Sequence, residues 1–113
     1  MLQLLEDCLL CLAEMHRAGL AHRNAGFDTI VQKDGRWKLR CSCEHLAEVG
    51  TQKLIPQVSY NRDPEQLQAV SRNEVMETVR TSVDMWALGK VVFNLLRQKR
   101  TFFSMIGASL DEV

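Results

Sequence analysis

The residues of this chain that could do chemistry gather in one stretch, Ala21-His22-Arg23-Asn24-Ala25-Gly26-Phe27-Asp28-Thr29-Ile30, and in the triplet Ser42-Cys43-Glu44 beyond it. By type they are poorly equipped. Asn24 is an amide with no basic lone pair to take a proton at neutral pH, and the hydroxyl of Thr29 is a weak ligand for a hard cation. Asp28 and Glu44 are the carboxylates of the region. A second chemistry is offered by Cys8 and Cys11 as C-x-x-C and Cys41 and Cys43 as C-x-C, with His16, His22 and His45 available, since zinc takes Cys and His ligands at such spacings. Against zinc, Cys8 and Cys11 stand on an apolar helix, where free cysteine behaves as a small buried hydrophobe. No metal and no cofactor is therefore assigned.

The elements that must position these residues follow from local pattern. Leu2, Leu5, Leu9, Leu12 and Met15 recur at three- and four-residue spacing, with Glu6, Asp7 and Glu14 on other faces, which predicts a helix over 1–17. Thr29 to Gln32, a Lys33-Asp34-Gly35 turn and Arg36 to Cys41 read as a β-hairpin, the Asp-Gly step being its turn signal. Val49 to Arg62 reads as loop, bracketed by Pro56 and Pro64. Asp63 is a good helix N-cap and Pro64 a good first helical residue. Over 81–100, Trp86, Leu88, Val91, Val92, Leu95 and Leu96 at helical spacing predict a core helix, closed by the basic run Arg97 to Arg100, where cations complement the dipole. The fold class expected is α+β, mainly α with one small β-hairpin.

His22-Arg23-Asn24 with Thr29 five residues on resembles a protein-kinase catalytic loop, His-Arg-Asp, four residues, then Asn, with its base replaced by Asn24 and its magnesium ligand by Thr29. Ser42-Cys43-Glu44 stands where such a chain carries Asp-Phe-Gly. Asp63-Pro64-Glu65 resembles the Ala-Pro-Glu that closes an activation segment, and Ser82 to Gly89 resembles the Asp-x-Trp-x-x-Gly start of the long helix of a kinase C-lobe, through Asp84, Trp86 and Gly89. Glu44-His45-Leu46 after the triplet, together with an insert over 66–80, is similar to the rhoptry kinase family of apicomplexan parasites, in particular its pseudokinase members.

The resemblance implies a partial C-lobe in one unit: helix 1–17, degenerate loop and triplet 20–44, activation-like segment 45–65, insert 66–80, central helix 81–100. A kinase domain needs roughly twice these residues, no Gly-x-Gly occurs, and the N-lobe is expected to be absent. His22 is implied to pack inward and Asp84 to bond the loop amides. Arg23 is implied to face an activation-loop phosphate, for which Thr51 and Ser59 are on offer; a solvated or carboxylate-paired arginine is the plainer reading. Glu65 is expected to lack its usual arginine. The function implied is a catalytically inactive pseudokinase segment that binds a protein, either an active kinase or a host protein. The competing reading is a truncated active serine/threonine kinase that binds ATP, with Glu44 or Asp28 compensating.

Composition bounds the rest. With 46% hydrophobic and 25% charged residues and no net charge, the chain is neither disordered nor a basic nucleic-acid module. It has no apolar run long enough to span a membrane, and Glu6 and Asp7 interrupt any signal-peptide core. Localisation is not readable from these residues; the resemblance implies secretion to the rhoptry or parasitophorous vacuole.

Overall fold

The computed structural model describes residues 2–57 and 62–106, those from 99 onward by backbone alone. Ser59, and the side chains of Phe102 and Phe103, lie outside the described set. Helix α1 (Leu2–Arg17) ends at Gly19, whose φ of 80° is the left-handed conformation that lets the Gly19 amide bond back to the His16 carbonyl at 2.9 Å. The chain then forms β1 (Leu20–Ala21), a 3-10 turn over Phe27–Thr29, and the hairpin β2 (Ile30–Lys33) and β3 (Arg36–Leu39). Asp34 and Gly35 sit between the hairpin strands with φ of 53° and 78°, the pair of positive values a tight two-residue turn requires. The second strand stops at Leu39, short of the expected Cys41.

The buried face of α1 is rotated from the expected one. Cys8 and Leu12 are enclosed, while Leu2 and Leu9 are exposed. Asp7, expected among the solvent-facing acids, is buried because the hairpin lies against this side of the helix. Arg36 donates to its Oδ1 through Nε at 3.0 Å and Nη2 at 2.6 Å, the Trp37 amide donates to Oδ2 at 2.9 Å, and Gln3 adds a bond at 2.8 Å. These donors, Arg36 first, lower the Asp7 pKa to about 2. Below lies a core cluster of Cys8, Leu12, Ala25, Leu39, Ala87 and Leu88.

The molecule is an α+β domain, as expected, with more strand than the single hairpin. Its described residues hold three α-helices and three two-stranded antiparallel ladders. β1 pairs with β4 (Ala47–Glu48), and β5 (Gln52–Leu54) with β6 (Met76–Thr78). β5 thus occupies part of the stretch expected as loop, and the expected insert begins inside α2 (Pro64–Ser71) and ends two residues past β6. Asp63 caps α2 in a reciprocal box: its carboxylate accepts the Gln66 amide at 2.8 Å and Gln66 Oε1 accepts the Asp63 amide at 2.9 Å.

Helix α3 (Ser82–Ile106) runs six residues past its expected end. Val83, Ala87, Leu88 and Val91 are its buried side. Leu96, expected in that core, is 45% exposed, and so is Trp86, whose apolar surface a shortened C-lobe was expected to leave partly uncovered; nothing among the described residues lies over their face of the helix. The molecule measures 49 × 34 × 17 Å, and its radius of gyration of 15.8 Å exceeds the roughly 13 Å of a compact chain this long. It is a slab about two layers thick.

Candidate functional site

Asp84, in the first turn of α3 and fully buried, organises the His22 to Asn24 loop from more than sixty residues away. Its Oδ2 accepts the His22 amide and its Oδ1 the Arg23 amide, both at 2.8 Å. These are the bonds expected of it. A third partner was not anticipated: His16, near the end of α1, lies with Nε2 2.7 Å from Oδ2. One carboxylate thereby ties α1, the loop and α3 together. The amides must converge for this, and Arg23 takes a φ of 67° to turn the chain, a conformation side chains other than glycine adopt at a cost.

His22 is completely enclosed and packs inward as expected. Its Nδ1 accepts the Asn24 amide at 3.1 Å, so Nε2 carries the proton and donates to the Arg40 carbonyl at 2.6 Å. The ring spans the loop and the end of the hairpin and has no nitrogen left for chemistry.

Arg23 is buried and carboxylate-paired. Nη1 donates to the His45 carbonyl at 3.1 Å, and Nη2 to the Leu54 carbonyl and to Glu77 Oε1, each at 2.8 Å. Glu77 comes from β6, and the two side chains are 2% and 10% exposed. Gln66 of α2 bonds the same Glu77 oxygen at 3.0 Å. Nε of Arg23 is enclosed without a partner. Glu77 escaped the sequence reading; the signal available was its two-residue spacing from the buried Val79, which places a carboxylate on an inward strand position.

The remaining polar residues of the loop are spent on local structure. Thr29 is buried, and its Oγ1 accepts the Gly26 amide at 3.0 Å while lying 3.0 and 3.3 Å from the Gly26 and Asn24 carbonyls. Ser42 Oγ lies 3.1 Å from His45 Nδ1, and its carbonyl accepts the amides of His45 and Leu46. Asn24 is half-buried, whereas Asp28 and Glu44 are exposed. Beside Arg23 a groove of about 350 Å3 opens between Glu44, His45, Leu54 and Pro56.

Pro64 opens α2 as expected. Glu65 has an arginine near it, though not one from a later helix: Arg80, ahead of α3, reaches its Oε2 with Nη1 at 3.4 Å, while Glu65 is 72% exposed and Arg80 serves mainly Asp63, at 2.9 and 3.2 Å. Gly89 and Trp86 are both exposed on α3. The four cysteines are unpaired, with Cys41 and Cys43 exposed, and burial pushes the Cys8 thiol up to about 11. Among the described residues no three His, Cys, Asp or Glu side chains converge as a metal site would need, and no described helix is long and apolar enough to cross a membrane. No protein-family model, curated protein or solved structure matches the chain.

Proposed function

We propose that this chain is a catalytically inactive, protein kinase-like C-lobe segment, akin to the rhoptry pseudokinases, that acts by binding another protein. The observation that carries the reading is the Asp84 carboxylate held on the amides of His22 and Arg23, the long-range link such a loop depends on. The loop keeps its scaffold and lacks its reagents. Phosphoryl transfer relies on a base and on magnesium ligands held in place, and here the base position is the amide Asn24 while the Thr29 hydroxyl is turned onto backbone carbonyls. Glu77 also meets the arginine that would otherwise receive a phosphate, so the segment from His45 to Leu54 is anchored without modification.

Incubation with radiolabelled ATP, magnesium and generic protein substrates tests this. The expected result is no phosphate incorporation and no shift of the thermal transition with magnesium-ATP. Incorporation that disappears when Asp28 and Glu44 are neutralised would overturn the proposal, as would a saturable shift with magnesium-ATP.

A further inference from the structure

The ribbon of β5 and β6 is two strands wide, and its register fixes which backbone groups face outward. The Val79 amide donates to the Thr51 carbonyl and the Ile55 amide to the Val75 carbonyl, each at 2.8 Å. Bonded pairs alternate along an antiparallel ladder, so Lys53 and Glu77 are the bonded pair between them, while the N–H and C=O groups of Met76 and Thr78 turn away from β5. Among the described residues no further strand pairs with β6 on that side.

Helix α2 runs beside this open edge. A short turn joins the two elements, closed by the Glu74 amide on the Ala69 carbonyl at 2.9 Å, and they then travel in opposite directions: Gln66 meets Glu77 at 3.0 Å and Asp63 meets Arg80 at 2.9 Å. Between them lies a groove of about 550 Å3, with Gln68, Ala69 and Arg72 on the helix wall and Met76 and Thr78 on the strand wall. Open edges are commonly blunted by proline, lysine or a bulge. The three residues of β6 carry no proline and no lysine, and the α2 wall that shuts out a whole sheet leaves room for one chain.

We propose that this groove takes an extended segment of another protein, which adds to β6 as a third strand. Main-chain geometry sets the occupant, since N–H and C=O groups at the spacing of a strand match an extended polypeptide. Charge takes no part in the choice, because Arg72 and Arg80 are already paired with Glu74 and Asp63. A second copy offering its own β6 would bring its own α2 against the same edge, and the outer edge of β5 has its Leu54 carbonyl taken by Arg23. The chain's own end falls short. α3 carries the backbone about 36 Å from Ser82 to Ile106, and β6 ends four residues before Ser82, so at least about 20 Å separate Ile106 from the edge. Three of residues 107–113 would have to lie along β6, and the other four span only about 14 Å. The inference stands on strand geometry and is independent of the kinase-like reading.

Selection of random linear peptides on the whole chain, followed by amide NMR with each enriched peptide, tests it. The expected result is peptides that shift the Met76 and Thr78 amide signals and lose about tenfold or more in affinity when alternate peptide amides, those on the bonded edge, are N-methylated. Met76→Pro and Thr78→Pro should weaken binding similarly, since each removes an outward amide and no bond to β5; melting curves by circular dichroism show whether each variant is folded, and the N-methylated peptides decide if neither is. No enriched peptide, peptides that shift other residues instead, or binding indifferent to N-methylation or to a folded proline variant overturns the proposal. Met76 and Thr78 signals that move with protein concentration would give the edge to a second copy, and signals that move when residues 107–113 are deleted would give it to the chain's own end; either result also overturns it.

Discussion

Replacing Asp84 by Asn tests the central joint of the molecule with the smallest change of shape. The carboxylate accepts two backbone amides at 2.8 Å and faces His16 Nε2 at 2.7 Å, all at a side chain with no exposure. An amide retains one acceptor oxygen, so its NH2 group must meet the other backbone donor. One buried N–H is then unpaired, at a cost of ~1–3 kcal/mol. The bond that survives is neutral rather than charge-assisted, which removes roughly another 1 kcal/mol. Burying an amide is easier than burying a carboxylate, which trims the total, and His16, with 19% of its side chain exposed, can turn to water at little cost. The net expected loss is about 2–3 kcal/mol, a large part of the ~5–15 kcal/mol that holds a domain together. Urea unfolding followed by circular dichroism reads it as a midpoint lower by roughly 1–3 M for a slope of ~1–2 kcal/mol/M. His16→Gln should cost far less than Asp84→Asn. A midpoint for Asp84→Asn within about 0.3 M of the parent would mean that the carboxylate does not hold the loop, and the joint described here would be wrong.

Glu77→Ala should destabilise by about 3–5 kcal/mol in the same assay, since it strands a buried guanidinium whose Nε already lacks a partner; a loss below about 1 kcal/mol would show that the pair is solvated in solution. Asp7 should make stability fall in acid: its folded pKa of about 2 lies below the ordinary 3.8, so its contribution is complete above pH 4 and is lost as pH falls through 2. The urea midpoint measured from pH 5 to 2 should therefore drop, and Asp7→Asn should flatten that drop; an unchanged slope in the variant would remove Asp7 as its cause.

Local signals were legible because they are closed within a few residues. The Asp34-Gly35 step sets its own backbone, and Asp63 before Pro64 meets Gln66 three residues on, so the hairpin and the start of α2 stand where the sequence places them. The link from Asp84 to the His22 loop was anticipated through motif order, without any local cue.

Sequence by itself also determined the functional groups of the loop: an amide at 24 and a hydroxyl at 29 are properties of residue type, which no folding changes. Tertiary structure decided everything that depends on which surfaces meet. Asp7 and Glu6 are adjacent acids on one helix, and only the docking of Arg36 and Trp37 buries one and leaves the other in water. Strands of two or three residues such as β4 and β6 carry too few residues for a period to show, and their partners lie more than twenty residues away. Glu77 finds Arg23 across that second ladder. Periodicity alone marked Trp86 as core, because a helix displays the same apolar spacing whether or not a neighbour covers it; burial depends on the second surface, and for that face of α3 the described chain supplies none.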